Sequence, residues 1–266
     1  MTENEYKRLL LKELALAVRI TGGRNKMQYN DIGIDSTVDW ARIRKLLIIG
    51  LIAGCMVFAG DMILGYGVYN DSLTGLEKML SAKITKSDTQ LFWAAFLGFI
   101  GIPLEGLSYF GIYRLMAEQS PKHAHAYRSG ILGILMFGGC GVHVPCVASV
   151  YFYKCLLRSG DIGALEKTIK FGQYFLLPGI ILFLVFFITL IAVQISAFTK
   201  EKTPYPKWCW IFSLAFGVLV ILLSKAAGNN AFFNGLSTAW ISIGDIWMTG
   251  GLLLTMNKAK RISPSV

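Results

Sequence analysis

Apolar residues run almost unbroken through six stretches of the chain, about 46–69, 91–116, 129–153, 171–198, 207–225 and 231–256. Each is close to the ~20 residues an α-helix needs to cross the ~30 Å hydrocarbon core of a bilayer. The runs lack the short alternating segments of a membrane barrel, so every backbone polar group has to be satisfied inside a helix. The pattern predicts an all-α, polytopic integral membrane protein: a six-transmembrane-helix bundle over 46–256, preceded by a 1–45 segment and followed by a short basic tail, 257–266.

The first segment reads differently. Tyr6, Leu10, Leu14, Ala17 and Val18 recur at helical spacing opposite Lys7, Arg8, Lys12 and Arg19. This is the pattern of an amphipathic helix lying on the membrane surface or on the bundle, and its charges interrupt any signal-peptide core. Thr21-Gly22-Gly23 ends it, and Trp40, Arg42, Arg44 and Lys45 mark the approach to the first span.

Composition agrees with the pattern: 54% of the 266 residues are hydrophobic and 16% charged. Eighteen of the 26 Lys and Arg residues fall in the N-terminal segment, the 114–128 and 200–207 loops and the C-terminal tail, and eight on the other side. The positive-inside rule then sets the chain in the cell membrane with both termini cytoplasmic. Topology and lipid headgroups account for the formal charge of +10, without a nucleic-acid partner. Five cysteines, an odd number with no CxxC pair, imply neither a disulfide framework nor a thiolate metal centre.

Against this apolar background four ionisable residues stand out, Asp61, Glu105, His143 and Asp245, one on each of the first, second, third and sixth spans. A charge at mid-bilayer costs about 2.5–3.5 kcal/mol even on insertion scales. Gly50, Gly54, Asp61 and Gly65 share one face of the first span; Gly98, Gly101, Glu105 and Ser108 form a comparable stripe on the second, where Pro103 frees a carbonyl. The glycine cluster 138–141 and Pro145 predict an irregular third span around His143. Asn234, Thr238, Ser242, Asp245 and Thr249 give the sixth span a polar face. Placed on ideal helices, the four ionisable groups fall within roughly 5 Å of the midplane. A shared polar cavity bounded by spans one, two, three and six is the expectation, with the fourth span, Ile180 to Ile191, as a lipid-facing wall. Asp61 and Asp245 would form an acid–base pair, Glu105 and His143 would shuttle or polarise, and Asn234, Thr238, Ser242, Ser108 and Tyr109 would contact a substrate.

Two segments echo each other, Ala59-Gly60-Asp61-Met62-Ile63-Leu64-Gly65 and Ile243-Gly244-Asp245-Ile246-Trp247-Met248-Thr249-Gly250. Over these seven and eight residues the chain resembles lysoplasmalogenase-type membrane hydrolases, whose Gly-Asp is followed by aliphatic residues. The resemblance implies hydrolysis of ether or ester lipids with Asp61 and Asp245 as the acid–base residues. Intramembrane aspartyl proteases fit less well, because Ser242 stands where their motif has glycine and their Pro-Ala-Leu element is missing.

Three readings stand side by side. The first is an enzyme performing acid–base hydrolysis or isomerisation of a lipid or other hydrophobic small molecule. A small proton- or cation-coupled transporter, often a homodimer at this size, is the second. The third is a scaffold or sensor whose buried acids only bond across helices. No cofactor is implied, although His143 with carboxylates is a conceivable mononuclear metal site.

Overall fold

A computed structural model describes residues 38–259. The expected amphipathic helix at the N-terminus, and most of the basic tail, lie outside the described residues. What is described is all-helical, as the sequence pattern requires of a multi-pass membrane protein.

The first helix, α1 (Trp40–Gly65), is capped by Asp39, whose carboxylate accepts from the Arg42 amide at 2.9 Å. A short helix α2 (Gly75–Ser81) follows in the loop. Helix α3 (Asp88–Ser108) opens on a capping box formed by Ser87 and Gln90, and it bends at Tyr109 into α4 (Phe110–Ala117). Pro121 begins α5 (Pro121–Phe137), where its missing N–H costs nothing. After a π-helical turn, Gly138–His143, the chain continues as α6 (Val144–Arg158). The amphipathic α7 (Ala164–Phe175) leads into α8 (Leu177–Thr199), and α9 (Ala215–Ala226), α10 (Ala231–Thr238) and α11 (Trp240–Leu254) complete the bundle.

Among the described residues, four helical stretches are long and apolar enough to cross a membrane: Trp40–Gly65, Asp88–Ala117, Pro121–Arg158 and Leu177–Thr199. The fifth and sixth expected spans are built from shorter pieces. Helix α9 has 12 residues, about 18 Å of rise, and enters through a 3-10 turn at Lys207–Ile211. The sixth span is broken at Ala239, between α10 and α11. Its neighbour relations are those the tight Gly228-Asn229-Asn230 turn implies: Gly217 of α9 lies directly on the Trp240 carbonyl, and Gly244 of α11 on that of Leu214.

Two sequence expectations are corrected. The third span begins at Pro121 and not near 129, so His123 and His125 are helical and not in a loop; His123 bonds Ser120 Oγ at 2.7 Å and Ser196 Oγ at 3.2 Å. Helix α8 is lipid-facing on one side only. Ile181, Leu184, Val185 and Ile188 are exposed, whereas Phe183, Phe187, Leu190 and Gln194 face the protein.

Helix α1 sits at the centre of the arrangement. Leu47, Gly50, Ala53, Gly54, Val57, Asp61 and Leu64 are buried at helical spacing, and Ile48, Ile49 and Ile52 are exposed. The loop side that carries α2 is laced by polar contacts. Asn229 accepts from the Tyr69 amide at 2.9 Å and returns a bond to the Tyr69 carbonyl at 2.8 Å, and Asn234 donates to Gly67 O at 2.7 Å. Lys154 and Arg158 hold Asp88, at 2.8 and 2.9 Å. In the same region Lys78 and Asn229 keep the exposed Asp71 carboxyl below the ordinary carboxylate range.

Close helix approach makes a prediction. A Cβ at Gly217 would overlap the Trp240 backbone, whereas one at Gly172 would meet nothing within 4 Å. Gly217→Val should therefore lose about 1–3 kcal/mol. Gly172→Ala should be neutral or gain up to ~1 kcal/mol. Thermal unfolding in detergent checks the pair; equal effects would contradict the packing.

Candidate functional site

The glycine stripe of α1 sets the register of α11 against it. An added Cβ at Gly50 would strike Ser108 Oγ and Thr249 Cγ2, one at Gly54 would come within 2.8 Å of Asp245 Oδ2, and one at Gly65 would strike Thr238. The two helices are therefore antiparallel and in close contact, with Thr249 and Asp245 of α11 opposite Gly50 and Gly54 of α1, and Thr238 of α10 opposite Gly65. Asp61 is level with Ser242, which donates to its Oδ2 at 3.0 Å. Asp245 lies three residues further along α11, or about 5 Å in rise. The repeated Gly-Asp element thus presents its two carboxyls at successive levels and not as a symmetrical pair.

His143 closes the π-helical turn, which adds a residue to the helical repeat and turns the imidazole toward α3. Its Nε2 lies 2.9 Å from the Ala94 carbonyl, and the ring occupies the volume that a side chain at position 98 would need. A carbonyl oxygen can only accept, so Nε2 carries the hydrogen. Nδ1 then faces Asp61 Oδ1 at 3.6 Å. That separation is an ion-pair distance and lies beyond hydrogen-bond reach, so the contact between the two groups is electrostatic.

Asp61, His143 and Glu105 line one cavity of about 250 Å³. The rest of its wall is largely apolar and comes from five spans: Val57 and Leu64 from α1, Ile102 from α3, Ile134 from α5, Phe183 and Phe187 from α8, and Trp240 and Ile241 from α11. Tyr109 and Thr238 add hydroxyls. A mainly apolar pocket with a few convergent polar groups is the usual form of a small-molecule site.

The other candidates fall around this cavity at different distances. Asp245, fully buried, does not reach its wall; it lies behind Tyr109, whose hydroxyl interacts with the carboxyl short of a well-formed hydrogen bond. Glu105 is coupled electrostatically to both Asp61 and Asp245 and so stands between the two levels. Ser242 reaches the cavity only through Asp61. Ser108 donates to the Glu105 carbonyl at 2.7 Å and packs on Gly50, away from the cavity. Asn234 is occupied by Gly67 O and Asn229 Oδ1. Among the described residues, no group of three or more His, Cys, Asp or Glu side chains is arranged to hold a metal ion.

Sequence reasoning missed the two α8 phenylalanines and Tyr127. Tyr127 is fully buried with its hydroxyl unpartnered, and it senses the Asp245 carboxyl. The signal was present: Ala124, Tyr127, Ile131 and Ile134 are spaced by three, four and three, one helical face once the helix is begun at Pro121.

Two substitutions probe this geometry. In protein labelled with 15N at histidine, His143 should show a protonated Nε2, and Gly98→Ala should abolish that signature by displacing the ring; an unchanged spectrum would contradict the placement. Ser242→Ala should destabilise by about 1–3 kcal/mol, because it removes a donor from a buried carboxyl; a neutral effect in chemical unfolding would show that Asp61 does not depend on it.

No curated protein and no solved structure matches the chain. The likeness to lysoplasmalogenase-type hydrolases therefore rests on the Gly-Asp segments alone. The family that does match is described as a family of unknown function, and its sequence model spans residues 27–259, which takes in all of the described helical bundle. The chain belongs to that family, DUF6796.

Proposed function

We propose that the cavity is an acid–base site acting on a lipid or another small hydrophobic molecule within the membrane. The observation that carries this reading is that Asp61, His143 and Glu105 share one cavity whose remaining wall is largely apolar. An apolar wall selects a hydrophobic substrate, and the low dielectric makes each proton transfer count for more than it would in water. In a hydrolysis, Asp61 with His143 takes the proton of the attacking water, Glu105 supplies one to the leaving group, and the Tyr109 hydroxyl orients the reacting carbonyl or ether oxygen. In an isomerisation the same pair removes a proton from one carbon and returns it to another. Asp245, outside the wall, has no direct contact with substrate in this scheme. The orientation proposed with it has both termini cytoplasmic, on the distribution of Lys and Arg.

A second reading, a small proton-coupled transporter, draws support from the broken helices. The π turn at Gly138–His143 and the interruption at Ala239 both flank the cavity, and discontinuous helices at membrane depth are a feature of transporter binding sites.

The two readings separate in one pair of assays. Purified protein incubated with a total lipid extract should convert at least one lipid species, detected by mass spectrometry, and Asp61→Asn or Glu105→Gln should reduce the rate roughly 100-fold or more. Unchanged lipids, together with proton uptake into proteoliposomes that Asp61→Asn abolishes, would replace the enzyme by the transporter.

A further inference from the structure

Behind the cavity lies a second polar cluster. Both carboxylate oxygens of Asp245, Oε1 of Glu105 and the hydroxyl of Tyr127 are sealed from solvent and have no hydrogen-bond partner in the protein. Asp245 is 0% exposed and Glu105 3%. Tyr109 stands between them, lining the cavity on one side and interacting with Asp245 on the other. The Glu105 and Asp245 carboxyls lie within electrostatic reach of each other. Leaving even one buried polar group unsatisfied costs about 1–3 kcal/mol, more if it is charged, so four such oxygens, on Asp245 and on two groups that feel its charge, call for an occupant.

The chemistry of the donors narrows that occupant. All are hard oxygens, which excludes soft metals, and the carboxylates number two, with neutral hydroxyls completing the set. Transition-metal sites are built from several imidazole, thiolate or carboxylate ligands, and no group of three or more His, Cys, Asp or Glu side chains is so arranged among the described residues; Mg²⁺, which keeps several of its waters, does not suit oxygens sealed from solvent. One monovalent cation with one proton balances the charge of two carboxylates and offers the orphaned oxygens a common partner. Gly54 contributes by its size, since a larger residue there would press on Asp245 Oδ2.

We propose that Asp245, Glu105, Tyr109 and Tyr127 form a binding site for an alkali-metal cation, buried next to the cavity and sharing Glu105 and Tyr109 with it. The site does not depend on what the cavity does. Cation occupancy would hold Glu105 in a fixed charge state, and so set which protons the cavity can exchange.

Full-length protein in detergent is titrated with sodium chloride, potassium chloride or choline chloride at constant ionic strength and its unfolding temperature followed. A ligand that binds only the folded state raises that temperature with its concentration. Sodium or potassium should stabilise well beyond choline. The alkali-cation response should vanish in Asp245→Asn, and in Tyr127→Phe half-saturation should shift to roughly tenfold higher salt. Equal responses to all three salts in the wild type would overturn the proposal, as would a wild-type response retained by either variant. If Asp245→Asn does not fold, Tyr127→Phe decides alone. The readout is binding, so its failure leaves the acid–base reading of the cavity standing, and the reverse also holds.

Discussion

A carboxyl group at the depth of the acyl chains has no bulk water to solvate it, so its neighbours must neutralise or bond it where it stands. Asp61 meets this requirement on both oxygens: Ser242 donates to one, and the imidazole of His143 lies 3.6 Å from the other. The rest of the bundle follows from holding these three side chains together. Ser242 reaches Asp61 only because α11 lies close along the glycine stripe of α1. His143 reaches it only because a π turn rotates the ring inward and Gly98 leaves room for it.

The same constraint explains why helices are broken near the cavity. A regular helix keeps its backbone carbonyls for itself, yet Ala94 shares its carbonyl with His143, and the chain is interrupted at Tyr109 and Ala239. Irregular backbone survives at this depth because it is enclosed by protein. The aromatic rings of α8 and Trp240 supply that enclosure. They give the cavity walls that exclude water without competing for the protons at its centre. Asp245 is the exception, with both oxygens unmatched, and it is therefore the most consequential group outside the cavity.

Much of this was legible in the sequence. Long apolar runs marked the bundle, since the bilayer imposes a length that little else requires. The four ionisable residues were visible by contrast with their surroundings, and the glycine cluster before His143 announced an irregular turn. What could not be read was register. Asp61 and Asp245 sit in similar Gly-Asp segments, but which level of α1 faces which level of α11 depends on side-chain fit along the whole contact; the fit set Asp61 opposite Ser242 and put Glu105, not Asp245, across the cavity. The uniform hydrophobicity of α8 hid a second face, because lipid and an apolar cavity wall select the same residues. Tyr127 was obscured by a helix start placed eight residues late, an error that Pro121 at the first helical position could have prevented.

The account stands on the interaction of Asp61 and His143 across the 3.6 Å that separates them, and a double-mutant cycle measures it directly. Unfolding free energies of the wild type, Asp61→Asn, His143→Gln and the double variant yield the interaction between the two side chains. A coupling of about 0.5–3 kcal/mol is the predicted result. Additivity within roughly 0.3–0.5 kcal/mol would mean the two groups do not interact, and would contradict the site described.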